Sequence, residues 1–117
     1  MALPERDWKH LRSLHQAALD RYCARVLQES YAIVNDLAGS AHDRYLRLYR
    51  LLQERDRTLA GAFNDLRRST AIPRLAAMLQ LEVVTDDELS GFSAETRDSA
   101  TFLSELSRPR RKKRRTS

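Results

Sequence analysis

The chain has 117 residues, 42% of them hydrophobic and 32% charged, a composition typical of one folded domain and not of a disordered chain. Its net charge of +5 is local, because the last ten residues hold seven of the 21 basic residues and no acid. The rest of the chain, with 14 basic and 16 acidic residues, has no general attraction for polyanions.

A single cysteine, Cys23, excludes an intramolecular disulfide and fits a reducing compartment. No stretch approaches the ~18 consecutive apolar residues of a membrane span. The first residues also lack the apolar core of a signal peptide. We therefore expect a cytoplasmic protein, and its richness in Arg, Ala and Leu hints at a bacterial source.

The first helical signal begins at Pro4, a residue that suits the start of a helix. Ser13 with Gln16 three residues later matches a capping box, which predicts a break near Ser13 and a new helix over about 14–37. One unbroken helix is the alternative. Gly39 supplies the stop. Apolar residues recur at the helical period in this segment, at Ala18, Leu19, Tyr22, Val26, Ile33 and Leu37.

The second helix is the clearest, because Ser40 can cap it, and we expect it to run to about Arg68. Gly61 lies inside it, at a cost of ~1 kcal/mol relative to Ala, which suggests that another helix crosses close to the backbone there. The helix also carries a heptad-like apolar seam, which favours helix pairing and predicts self-association, as a homodimer or with a protein partner. This seam consists of Tyr45, Tyr49, Leu52, Leu59, Phe63 and Leu66.

Three shorter helices are predicted in the remainder. Pro73 fits the first turn of one, Thr85 and Glu88 form a capping box at the start of the next, and Ser93 caps the last. That last helix presents Phe102, Leu103 and Leu106 as its apolar contacts and ends before Pro109, because the residue preceding a proline avoids helical geometry. The prediction is an all-α bundle of four or five helices over residues 1–107, followed by a disordered basic tail over 108–117.

No residue pattern indicates an active site, a cofactor or a metal. His10 and His15 are five residues apart, so they do not share a helical face, and no paired-cysteine motif occurs. Asp7 with His10 matches only a fragment of a di-iron motif, and we interpret Asp7 as a surface residue at a helix start. The acidic run 86–88 is explained by the positive end of a helix dipole. We expect a protein that is not an enzyme.

The tail is the one specific functional signal. Dense like charges cannot be buried and are typical of disordered segments that bind polyanions. Nucleic acid is favoured because neutralised phosphates release counterions, and binding without sequence preference is expected because the tail has no aromatic residue. A membrane surface is less favoured without a second anchor. A nuclear address in a eukaryote and an idle tail are further alternatives. The predicted nucleic-acid-binding residues are Arg108, Arg110, Arg111, Lys112, Lys113, Arg114 and Arg115.

Two functional hypotheses follow. In the first, the body is an interaction or assembly module that the tail holds on nucleic acid. A variant of it is a protein-protein adaptor whose tail is idle or lies on a membrane surface. In the second, the body itself binds DNA or RNA as a small regulatory or accessory subunit. The second hypothesis would use the arginines of the long second helix, namely Arg44, Arg47, Arg50, Arg55 and Arg57.

Overall fold

The computed structural model describes residues 3–107, which form five α-helices and contain no strand. The prediction of an all-α fold is confirmed. A short 3-10 turn precedes the third helix at Arg68–Thr70. The helices are α1 (Glu5–Val34), α2 (Ala41–Phe63), α3 (Ala71–Gln80), α4 (Asp86–Ser90) and α5 (Ala94–Ser107).

The first helix is unbroken for 30 residues, so the predicted break at Ser13 is wrong and the single-helix alternative is correct. The Ser13 hydroxyl donates to the carbonyl of His10 at 2.7 Å, which is the bond that a serine inside a helix makes instead of capping. Leu11 and Leu14, on either side of Ser13, are both buried in the core. Because both side chains must stay buried, the chain remains helical across Ser13 despite the local capping signal.

The second helix begins where the sequence predicts, with the Asp43 N–H donating to the Ser40 hydroxyl at 3.0 Å. It ends at Phe63 and not near Arg68, because Asn64 has an extended backbone with ψ of 157°. Asp65 then adopts a left-handed backbone with φ of 57°, through which a helix does not continue. The predicted crossing at Gly61 is also wrong. A Cβ added there would meet nothing within 4 Å.

Local capping also fixes the shorter helices. At the end of α3, the Glu82 N–H donates to the Leu79 carbonyl and the Val83 N–H to the Met78 carbonyl, at 3.0 and 3.3 Å. This is the Schellman pattern, and the burial of Val83 and Met78 supplies its apolar contact. The predicted capping box at the start of α4 is confirmed, with both bonds between Thr85 and Glu88 present.

The core lies around the first half of α1, which packs with α3, α5 and the end of α2. No residue from Cys23 to Gly61 is buried. In this range the second half of α1 packs along α2. The second half of α1 and most of α2 therefore form a two-helix hairpin that projects from the body. The buried apolar residues are Leu3, Leu11, Leu14, Ala18, Tyr22, Ala62, Phe63, Ala71, Leu75, Ala76, Met78, Val83, Phe92 and Ala100.

Candidate interaction surface

The projecting hairpin exposes large apolar side chains on both of its helices. On both α1 and α2 they follow the spacing i, i+4, i+7. Residues at this spacing lie on one face of a helix. Exposure reaches 68% for Leu27, 72% for Tyr31 and 65% for Tyr45. We define the hairpin surface as Leu27, Tyr31, Val34, Tyr45, Tyr49 and Leu52.

The two rows of side chains lie on the same side of the hairpin. A groove of about 230 Å³ runs between the helices, and its lining includes Leu27 from α1 and Leu52 from α2, together with Cys23, Val26 and Leu59. Residues spaced i, i+4, i+7 stay on one face of a helix. The other residues of each row therefore lie on the same side of the hairpin as Leu27 and Leu52. The six residues therefore form one continuous surface.

The size of this surface is unusual for a monomer. With ~200 Å² for a fully exposed side chain of this size, the exposed fractions correspond to roughly 600–700 Å² of mostly apolar surface. The largest apolar patch on a typical monomer is about 300–600 Å². Patches of this size mark places where another molecule binds.

Ion pairs link α2 to α1 and to the loop that follows α1. The Nε and Nη2 groups of Arg55 donate to the Glu29 carboxylate at 2.9 and 3.0 Å, and Arg47 donates to Asp36 at 3.0 Å. The hydrogen bonds from Arg55 lower the pKa of the Glu29 carboxyl against the opposing effect of burial. Because α1 and α2 are fixed to each other, the hairpin surface is formed before any partner arrives, which lowers the entropy cost of binding.

The predicted self-association seam is divided by the structure. Its first three residues, Tyr45, Tyr49 and Leu52, are exposed and belong to the hairpin surface. Phe63 is buried, and its ring packs on Tyr22 and His15. Leu59 and Leu66 are partly buried against the core. The seam changes from surface to core because α2 runs from the projecting hairpin into the body.

The three hairpin-surface residues of α1 were missing from the sequence prediction. Leu27, Tyr31 and Val34 lie beside the row of apolar residues for which the helical period predicts packing, which includes Val26 and Ile33. Together the two rows make the apolar face of α1 wider than one partner helix can cover. That excess width is the signal by which the sequence indicates the surface.

Most of the arginines proposed to read nucleic acid make contacts within the hairpin. Arg44 donates to the carbonyl of Val34 at 2.6 Å, and Arg47 and Arg55 form the ion pairs described above. Arg50 and Arg57 are exposed. These contacts remove three of the five cations from a reading surface on α2.

The candidate metal-ligating residues have structural contacts instead. The His10 Nε2 atom lies 2.6 Å from the Glu88 carbonyl oxygen, and the His15 Nε2 atom lies 3.2 Å from that of Phe63. Within residues 3–107, no three His, Cys, Asp or Glu side chains are grouped to hold a metal ion. Glu88, in the acidic run of α4, is paired with Arg21.

Asp7 is fully buried, so its interpretation as a surface residue is wrong. Its carboxylate accepts hydrogen bonds from the Ser93 N–H at 3.0 Å, the Ser93 hydroxyl at 2.6 Å and the Thr96 hydroxyl at 2.5 Å. Burial raises the pKa of Asp7, but these hydrogen bonds outweigh burial and leave the pKa below its ordinary value. The carboxylate fixes the start of α5 to the start of α1, which is a structural role.

The predicted nucleic-acid-binding residues 108–115 lie outside the described residues. Among the helices over 3–107, none has the length and apolar character needed to cross a membrane. Comparisons with protein-family models, curated proteins and solved structures gave no match to this chain.

Proposed function

We propose that this chain is a non-enzymatic assembly module, in which two copies associate through the hairpin surface and the basic tail holds the assembly on nucleic acid. The hairpin surface is the observation that carries the proposal. Six large, mostly apolar side chains are exposed on one two-helix element, and leaving them in water is unfavourable by about 25 cal/mol per Å².

A second copy is the occupant that fits this surface best. A stable interface buries about 800 Å² on each partner, and the hairpin surface supplies most of that area. Two hairpins that meet through this face with antiparallel axes form a four-helix bundle, in which each row of side chains packs between the two rows of the partner. Such a pairing is two-fold symmetric, the commonest arrangement in homodimers.

Nucleic acid remains the proposed partner of the tail because the tail places seven cations within ten residues, and cations that neutralise phosphates release counterions. The tail carries seven cations from Arg108 to Arg115, and its last ten positions contain no aromatic residue. Contacts would therefore be to phosphates, without readout of base sequence. The alternative in which the body reads nucleic acid is less favoured, because Arg44, Arg47 and Arg55 contact the hairpin itself.

The self-association is tested by sedimentation equilibrium at micromolar concentration. Wild type is expected to be dimeric, and Tyr49→Lys should shift it to monomer because the lysine places a charge in the centre of the buried face on both copies. Glu54→Gln is the matched control, because it changes the net charge equally at an exposed position of α2 outside the hairpin surface. A monomeric wild type, or equal effects of both changes, would contradict the proposal.

The tail is tested by a salt titration of binding to duplex DNA. If seven cations contact phosphates, log affinity should fall against log salt with a slope of up to about −6, since each contact contributes ~0.9. A protein ending at Ser107 is expected to lose binding, and two unrelated DNA sequences should bind wild type equally. Equal affinity with and without the tail, or tighter tail-dependent binding to anionic vesicles, would remove nucleic acid as its partner.

A further inference from the structure

Within residues 3–107, large side chains on the outward face of α5 are left exposed, and they are not those of an ordinary solvated face. Phe102 is 65% exposed and Leu106 is 67% exposed, so neither is the core contact that the sequence suggested. The side of α5 that packs on the body is made of small residues instead, Thr96, Ala100 and Ser104, all buried. Two large apolar groups one turn apart are left in water.

Acidic residues surround these two side chains. Glu95, Asp98 and Glu105 are exposed, and their spacing from Phe102 places them on the same face of α5. None of the three is in an ion pair with another residue of the described chain. The segment 82–107 as a whole has seven acidic residues and one basic residue, Arg97. The strongest negative segment of the chain therefore directly precedes its strongest positive one.

We propose that the basic tail of this chain, residues 108–115, docks on the outward face of its own α5, and that nucleic acid competes with this face for the tail. The reach is sufficient, because eight extended residues span up to ~26 Å and α5 is ~16 Å long from Glu95 to Leu106. The tail can therefore return along the face that carries the acids.

The chemistry of the face suits arginine and lysine. The guanidinium group of an arginine stacks on an aromatic ring, which gives Phe102 a partner, and the alkyl stems of both residue types cover apolar surface such as Leu106. Exposed ion pairs are individually weak. The tail is nevertheless held at an effective concentration in the millimolar range by its attachment, so weak contacts are sufficient to keep it docked.

Docking of this kind makes the acidic face a competitor of phosphate. In low salt the free protein binds nucleic acid less tightly than an undocked tail would, and only a polyanion of high charge density displaces the face.

The test compares full-length wild type with two triple variants of equal net charge. The face variant is Glu95→Gln, Asp98→Asn and Glu105→Gln. The control variant is Asp20→Asn, Asp43→Asn and Glu54→Gln, three exposed acids on α1 and α2. Circular dichroism confirms that all three proteins are folded. Limited trypsin digestion then measures how fast the tail is cut at its own Arg and Lys residues, in low salt and at high salt.

We expect the tail of the face variant to be cut several times faster than that of wild type or control in low salt, and all three to be cut equally at high salt. Equal rates in low salt would overturn the proposal. A DNA titration in low salt, which rests on the proposed function, should show the face variant binding about three- to tenfold tighter than the control. An equal gain in both variants would reduce the effect to net charge and also overturn it. Faster digestion of the face variant without DNA binding by any protein would keep the docking and reject nucleic acid as the partner.

Discussion

The carboxylate of Glu88 accepts two hydrogen bonds from the guanidinium group of Arg21, at 2.8 and 2.9 Å, and this pair joins the middle of α1 to α4. Glu88 Oε1 also accepts the Thr85 N–H at 2.9 Å, while Arg21 donates to the Val83 carbonyl at 2.7 Å. One side chain thus completes a local helix cap and a contact across 67 residues. The segment between α3 and α5 is fixed to α1 by this pair.

The first prediction concerns the pH dependence of this pair. Hydrogen bonds from Arg21 lower the pKa of Glu88 despite the opposing effect of burial. A carboxyl whose pKa is lowered by folding stabilises the protein above its unfolded pKa of ~4.3, and this stabilisation is lost as the pH falls through the folded pKa. Urea unfolding between pH 7 and pH 3 should therefore show a free energy of unfolding that declines below about pH 5.

Glu88→Gln and Arg21→Gln should both make this decline shallower, since each removes the interaction that lowers the pKa. The effect should be at most about 1 kcal/mol, because the Arg21 side chain is 38% exposed and partly screened by water. An unchanged decline in both variants would contradict the role of the pair.

The second prediction concerns the buried carboxylate of Asp7. Asp7→Ala removes the acceptor of three hydrogen bonds and leaves the Ser93 N–H without its partner, so we expect a loss of about 3 kcal/mol or more in the free energy of unfolding. Thr96→Val removes one of the three bonds and should lose about 1–2 kcal/mol. Glu5→Ala, an exposed change in the same turn of α1, should stay within about 1 kcal/mol. Losses of similar size in all three, measured by urea unfolding, would argue against a special role for Asp7.

The third prediction compares two glycines. Gly61→Ala should stabilise the protein by about 0.5–1 kcal/mol, because alanine is the better helix former and the added methyl group enters open space. Gly91→Ala should destabilise it, because the methyl group would collide with the ring of His10. Thermal unfolding of the two variants should therefore shift the Tm in opposite directions. A destabilised Gly61→Ala would indicate a contact at α2 that the fold does not contain.

The fourth prediction concerns Glu82, which has a left-handed backbone with φ of 59°. Glycine adopts this conformation without the cost of about 1–2 kcal/mol that other residues incur. Glu82→Gly should therefore stabilise the end of α3 by roughly 1 kcal/mol. Glu54→Gly, inside α2, should lower the free energy of unfolding by about the same amount. Both variants lose one acidic charge, so a difference between them reports the backbone conformation at each position. Destabilisation by both changes, measured by urea unfolding, would rule out strain at Glu82.

The sequence by itself determined where several helices begin. Ser40, Thr85 and Ser93 were predicted as caps, and each accepts its N–H bond from the residue three positions later. Such bonds join neighbours in the chain, so the residues that make them are readable without knowledge of the fold. The all-α fold followed from the same local signals. The charge of the tail is a property of the sequence alone.

Only the tertiary structure decided which apolar residues are buried. Phe63 and Tyr49 belong to one seam in the sequence, yet Phe63 packs in the core and Tyr49 is exposed. Asp7 has the pattern of a surface residue and is buried by partners 86 and 89 residues away. Burial depends on contacts between distant segments, whereas helical periodicity reports only that a face is apolar. What covers that face is set by how the helices cross, and in this chain the crossing leaves the α1–α2 hairpin projecting into solvent.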